Sequence, residues 1–280
     1  MEQTGNVHPL KRRRSIWFVL LIIAIVLGSF QALYNTTGSM DSTVVAGETM
    51  LIEKISFGIS TQNLPPILCD ALPYKRFLTV RLPAHGETVV FRHTGERDLG
   101  SSPPTQLFMK RCVATSGDTV QLRGGTLYVN GIATQLPRTA SQIPFSETRR
   151  AEREEQEQYR TFPVGRAYTS ADWGPMRVPK HGDTLWLDAN GFHEWTTFVQ
   201  REGHDVNIDA CTVDDVPAAA YVVERDYMFA LGDNRSNSVD SRFIGFVPTN
   251  DVIGTPLIIL KAVDPETGSF IWNRVGTIIH

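Results

Sequence analysis

Two hydrophobic patterns divide this chain. Residues 15–34 carry no charge, and their apolar centre runs unbroken from residue 16 to 27, directly behind the cluster Lys11-Arg12-Arg13-Arg14. That length narrowly meets the roughly 20 residues a bilayer-crossing helix needs. The basic cluster predicts a cytoplasmic N-terminus with the body on the far side, and Trp17 and Tyr34 fall where interfacial anchors sit. A cleaved secretory leader would need small residues ahead of its cut. Phe30 and Leu33 spoil most registers there, so the expectation is one retained transmembrane helix.

The second pattern is short runs of Val, Thr, Ile and Phe bounded by glycine, proline and asparagine. It predicts strands over residues 50–57, 79–91, 106–115, 119–122 and 126–129, the last two joined by Arg123-Gly124-Gly125, with a further turn at Asn130-Gly131. Residues 58–74, with Pro65, Pro66 and Pro73, read as an irregular connection. The charged run 146–160 reads as a solvated helix or flexible excursion. Strand-like segments resume at 177–179, 183–187 and 195–199, and again at 227–231, 246–248 and 253–262. The expected fold is mainly β. A core of residues 35–135 and 225–265 carries an inserted β subdomain, 136–224, preceded by a basic tail, 1–14, and one N-terminal transmembrane helix, 15–34. The apolar tail, 266–280, either packs on the core or rests on the membrane.

Composition narrows the classes. The 280 residues, 41% hydrophobic, suffice for one large domain or a core with an insertion. A net charge of −3 without a basic stripe argues against nucleic acid as a partner. Three cysteines give no disulfide framework. Cys69 and Cys211 could pair outside the cytoplasm, and Cys112, in an apolar strand, reads as a core residue. No two cysteines have metal-ligand spacing and the seven histidines are scattered, so no metal site is expected.

The densest polar chemistry lies in residues 232–245, GDNRSNSVDSRFIG, where Asp233, Arg235, Asp240 and Arg242 alternate with small hydroxyl and amide residues. This suits a buried scaffold of charge-assisted hydrogen bonds; a turn-rich surface loop is the plainer alternative. Two further residues bear on it. Ser39 lies in a small polar turn, which can present a hydroxyl, and Lys110 lies inside the apolar strand 107–113. Neighbouring strand side chains face opposite ways, so Lys110 and Arg111 cannot both reach solvent on one face. A lysine pressed into an apolar wall loses hydration and its pKa falls, and once neutral it can take a proton from a serine hydroxyl. Taken singly, Ser39 could be a turn residue and Lys110 a snorkelling surface lysine.

Together, residues 37–48, 86–91, 108–118 and 232–245 resemble, in order, the sequence boxes of bacterial type I signal peptidases, the membrane-anchored Ser-Lys endopeptidases. The last box matches almost completely. The resemblance implies Ser39 as nucleophile and Lys110 as general base, with the Ser39 N–H and the Thr37 hydroxyl as oxyanion donors. It implies Ser238 as the residue orienting the lysine, and Asp233 with Arg111 and Asp240 with Arg242 as supporting ion pairs. Met40, Val44, Phe108 and Met109 would line shallow pockets for small substrate residues. It further implies no cofactor, signal peptides of exported preproteins as partners, contact with membrane lipid, and a single-pass protein of the bacterial cytoplasmic membrane with its catalytic body on the outer, periplasmic face. The chain departs from the family at Ser42, usually Pro, at Glu48, often Asp, at Thr37, more often Ser, and at Thr115-Ser116, usually Leu-Pro. A proline would fix φ and stiffen the turn; its absence removes no reacting group. Three alternatives stay open: a specialised processing peptidase of the same clan, a non-catalytic membrane-anchored binding module, and a Ser-His-Asp hydrolase using His85 or His93.

Overall fold

The computed structural model describes residues 19, 28–41, 43–64, 72–93, 106–134 and 161–280. Strands β1 (Phe30–Tyr34), β2 (Glu48–Glu53), β3 (Gly58–Ser60), β4 (Arg76–Thr79) and β5 (Thr88–His93) lead to the long β6 (Gln106–Thr115). Next come β7 (Thr119–Arg123), β8 (Thr126–Val129), β9 (Ile132–Ala133), β10 (Trp173–Arg177) and β11 (Thr184–Trp186), then the helix α1 (Ala189–Glu202). The short strands β12 (Val206–Asn207), β13 (Thr212–Val213), β14 (Val216–Pro217) and β15 (Ala220–Val222) precede β16 (Tyr227–Leu231) and α2 (Ser241–Ile244). The chain then forms β17 (Val247–Pro248) and β18 (Val252–Ala262).

Seven strands build the main sheet in the order β1-β2-β18-β5-β6-β16-β17, every neighbour antiparallel. In β2 the period of two is plain: Glu48, Met50 and Ile52 are buried, and the residues between them are half-buried. β16 and the inner part of β6, Met109 to Ala114, are buried on both faces, as central strands covered on two sides must be. One face of this region packs Val113, Ala114, Phe229 and Leu231 against Trp173. The other packs Cys112, Met228 and Ala230 with Val89 and Phe91. A third cluster runs across the sheet, with Met50 and Ile52 of β2, Ile253 and Ile259 of β18, Val90 of β5 and Met109 of β6, and takes in Met40. Residues of β1 and β6, with three strands between them in the sheet, line one groove, so the sheet is curled.

A second sheet, β10-β7-β8-β9, joins the hairpin after β6 to a strand from the later part of the chain. Trp173 fastens the two sheets. Its indole donates to the Phe162 carbonyl at 2.7 Å, and its ring lies 4.5 Å from that of Phe229.

Several expectations are corrected. Residues 195–199 are not a strand but part of α1. Their aromatic and β-branched content suggests extended chain, yet Phe192, Phe198, Val199 and Glu202 are buried with Trp195 half-buried, and this spacing of three and four is helical. Asp188 caps the helix, accepting the Gly191 N–H at 2.7 Å, and Gly203 ends it at φ 111°. Asp188→Ala should cost about 1 kcal/mol of stability, read by urea unfolding. The strand expected over 79–91 is two, β4 and β5, with residues 80–87 between them outside any strand.

Residues 30–34, expected as the end of the membrane helix, form β1, paired with β2. A strand satisfies their backbone through a neighbour, and the Glu48–Glu53 strand supplies it. Most of residues 15–27 lies outside the described residues, and among the described residues no helix is long and apolar enough to cross a membrane. Cys211 is exposed and Cys112 buried, both as free thiols; Cys69, the partner considered for Cys211, lies outside the described residues. The tail returns to the core. Ile278 bridges Ile258, and Ile279 is buried.

Candidate active site

Ser39 is positioned by the turn that follows β1. Asn35 is buried there, its side chain donating to the Thr37 carbonyl at 2.9 Å and accepting the Thr37 N–H at 3.3 Å. Bonds from the N–H groups of Asp41 to Gly38 O and of Val44 to Met40 O tighten the next residues. The Ser39 carbonyl accepts the Asn234 N–H at 3.1 Å, which ties the turn to the polar box. Ser42 lies outside the described residues.

Lys110 Nζ lies 2.7 Å from Ser39 Oγ, and Thr37 Oγ1 lies 3.2 Å from the same oxygen. Lys110 sits in β6 opposite Val89 and is only 5% exposed; Ser39 is 8% exposed. Burial pulls the lysine down from 10.5 to about 8, against Asp240 and Asp233, which favour its charged form, and with Arg242, which opposes it. A neutral amine is therefore accessible near physiological pH, within hydrogen-bond reach of a hydroxyl.

Beneath this pair lies the scaffold suggested by residues 232–245. Asp233 takes Arg111 in a two-point grip, 2.8 Å to Nε and 2.6 Å to Nη2, and also accepts the Thr43 hydroxyl. Asp240 holds Arg242 in the same way at 2.8 and 2.9 Å, accepts the Gly232 N–H and caps α2. Arg242 further donates to the carbonyls of Ser170 and Arg235. Burial, the largest influence, would raise the Asp240 carboxyl, but the Arg242 guanidinium, the Gly232 N–H and Lys110 together hold the group below its usual range. Gly232 is required here. A Cβ on it would stand 2.1 Å from Ser238 Oγ and 2.6 Å from the Ser39 carbonyl oxygen. Arg235 is buried as well; its Nε donates to Gly232 O, while Nη1 and Nη2 have no partner among the described residues. Burial lowers it to about 10.

Two sequence expectations change. Ser238 does not bond the lysine: its Oγ is buried and has no partner among the described residues, because it faces the Gly232 backbone. Met40 and Val44 are not among the residues lining the groove beside Ser39. At 1% and 0% exposure they belong to the core, where Met40 Sδ accepts the Asp233 N–H. Phe108 and Met109 do line a groove of about 810 Å³ beside Ser39 and Lys110. Its opposite wall, unforeseen in the sequence, is Leu33 and Tyr34 of β1 with Met50 of β2.

The histidines fall elsewhere. His85 meets Asp118 at 2.6 Å and Thr115 Oγ1 at 3.2 Å through the same ring nitrogen, so it cannot relay a proton between them as a triad histidine would. His93 packs on the Phe108 ring, and burial pushes it down to about 4.

Comparison with known proteins agrees in direction. The signature of one family, described as signal peptidase, peptidase S26, matches residues 11–260. The chain is similar to the signal peptidase I of Buchnera aphidicola subsp. Acyrthosiphon pisum, 21% identical over 99% of this chain and 85% of that protein. It is similar to that of Rickettsia bellii (strain OSU 85-389) at 29% identity, over 84% of this chain and 65% of that protein. A solved signal peptidase I from Enterococcus faecalis V583 is 21% identical, covers 63% of this chain and 98% of its own, and has a TM-score of 0.28.

Proposed function

The chain belongs to the signal peptidase family, peptidase S26, hydrolases that remove signal peptides, and we propose that it does so through a Ser39–Lys110 dyad, cutting exported preproteins after small residues. The observation that carries this reading is the 2.7 Å approach of a buried, pKa-lowered lysine to a serine hydroxyl. Neutral Lys110 takes the Ser39 proton as Oγ bonds to the scissile carbonyl carbon. The carbonyl electrons move to oxygen, which the Ser39 N–H and the Thr37 hydroxyl stabilise. Collapse breaks the C–N bond, the ammonium gives its proton to the departing amine, and an acyl-serine remains. A water, deprotonated by the same amine, attacks the acyl carbon; the ester bond to Oγ breaks, the ammonium returns its proton to Oγ, and the new carboxylate leaves.

The groove supports an extended substrate lying between β1 and β6 and adding as a strand. Phe108 and Met109 leave room for Ala, Gly or Ser at alternate positions. The supporting roles go to Asp233, Arg111, Asp240 and Arg242, with Ser238 as a spacer packed on Gly232. In this reading residues 1–14 stay in the cytoplasm, the apolar run 16–27 anchors the chain in the bilayer ahead of β1, and the catalytic body lies at the outer face of the inner membrane. The site then meets signal-peptide ends by tethering rather than diffusion.

The reaction needs the uncharged amine, so kcat/KM should climb as pH rises through about 8. Each unit below that value lowers the neutral fraction about tenfold. The test is cleavage of a preprotein by the detergent-solubilised full chain from pH 5.5 to 9, with the new N-terminus sequenced. A profile flat between pH 6 and 8, or cuts after large residues, would overturn the proposal.

A further inference from the structure

The Gly38–Ser39 peptide is trans, so its two polar groups point in opposite directions, and whatever holds the Gly38 carbonyl also aims the Ser39 N–H. Two donors hold that carbonyl, the Asn234 carboxamide at 2.9 Å and the Asp41 N–H at 3.1 Å. The peptide on the other side of Ser39 is held by the same residue, whose backbone N–H meets the Ser39 carbonyl at 3.1 Å. Asn234 thus pins both peptide planes that flank the nucleophile. Its carboxamide is itself fixed. Nδ2 also reaches Asp41 Oδ2 at 3.3 Å, and Oδ1 accepts the Ser236 hydroxyl at 3.0 Å. A carbonyl and an ionised carboxylate only accept, so the amide must keep its nitrogen toward the turn. Gly38 allows the close approach: a Cβ there would stand 2.6 Å from Asp41 Oδ2 and 3.2 Å from Asn237 Nδ2.

We propose that the Asn234 side chain is a positioning residue for the oxyanion donor, holding the Gly38 carbonyl so that the Ser39 N–H faces the scissile carbonyl oxygen. The proposal rests on the Ser39–Lys110 reading of the site. Gly38 and Ser39 line the groove, whereas Asn234 is buried and is not among its lining residues. With the carbonyl drawn back toward Asn234, the N–H of the same plane is turned to the substrate side. Charge develops on the scissile oxygen only in the transition state, so a donor that wanders costs rate rather than binding. The dyad itself is left alone. The Lys110–Ser39 Oγ bond uses other atoms, and the groups that act on the lysine, beyond burial, are Asp240, Asp233 and Arg242. Loss of the carboxamide therefore slows the reaction without moving the pH at which the base becomes free.

The experiment compares the detergent-solubilised full chain with Asn234→Ala and Asn234→Leu in preprotein cleavage from about pH 5.5 to 9, the range that brackets the expected acid limb. Both variants should lose about ten- to hundredfold in kcat, with KM within about twofold and the acid limb unmoved. Leucine keeps the volume but offers no N–H, so it should not rescue. A peptide aldehyde, whose adduct with Ser39 places an oxygen where the oxyanion forms, should bind more weakly by about the factor lost in kcat/KM. Wild-type kcat in either variant, a loss carried by KM, a shifted limb or unchanged aldehyde affinity would overturn the inference and leave the dyad standing. An inactive wild type would instead remove the dyad reading. If neither variant folds, Ser236→Ala, which takes away a bond that orients the carboxamide, should lower kcat severalfold with the limb in place; wild-type kcat there counts against Asn234.

Discussion

Lys110→Ala should abolish preprotein cleavage, lowering kcat by roughly a thousandfold or more, while the protein stays folded. The side chain is buried and, among the described residues, its hydrogen bond goes to Ser39 Oγ. Removing it deletes the base without stranding a charged partner, since Asp233 and Asp240 are each held by their own arginine. Ser39→Ala should be equally inactive. Lys110→Arg should not recover activity, because a guanidinium does not release its proton in this range. Near-UV circular dichroism establishes folding, and single-turnover cleavage gives the rate. Substantial turnover in Lys110→Ala would end the dyad reading. A β-lactam-type acylating agent offers an independent check: it should label Ser39 in the wild-type chain and fail to do so in Lys110→Ala.

The largest effect on stability is expected from Asp240→Ala. The Asp240 carboxylate is fully buried and accepts from Gly232 N–H and from two nitrogens of an arginine that is itself 1% exposed. Its loss leaves Arg242 charged in the interior with only the carbonyls of Ser170 and Arg235. Breaking a buried pair from one side costs about 3–5 kcal/mol, a large share of the roughly 5–15 kcal/mol that holds a domain together. Asp240→Asn, which keeps the shape and an acceptor, should lose less. Urea unfolding of both variants decides the matter; a loss below about 1 kcal/mol for Asp240→Ala would mean that the pair contributes little to the fold.

The central strands and the polar box were legible in the sequence because their signals are local. β6 and β16 are continuous apolar runs with only Lys110 and Arg111 as charged interruptions in the buried part, and those two point to opposite sides of one strand. Residues 232–245 announce charge pairing through composition alone. What stayed hidden depends on long-range geometry. Leu33 and Tyr34 face Phe108 across a groove only because the sheet curls, and β18 shifts register at Pro256/Ile258 and Ile259/Lys261 without any local mark. Met40 lies next to Ser39 in sequence but turns inward to Asp233. Asn35 fixes Thr37 from both sides, a role that nothing in the local sequence marks. In α1 the local preference for extended chain lost to the core, which rewards burial at helical spacing.

On the proposed reading, a guest strand in the slot between β1 and β6 is held most strongly while it is intact. An unbroken chain running past Ser39 can use both rims of the opening at once, and its contacts add as one ligand's. Scission divides those contacts between two shorter pieces, each with fewer of them and its own freedom to depart. The same event that completes the chemistry thus weakens the hold on its products.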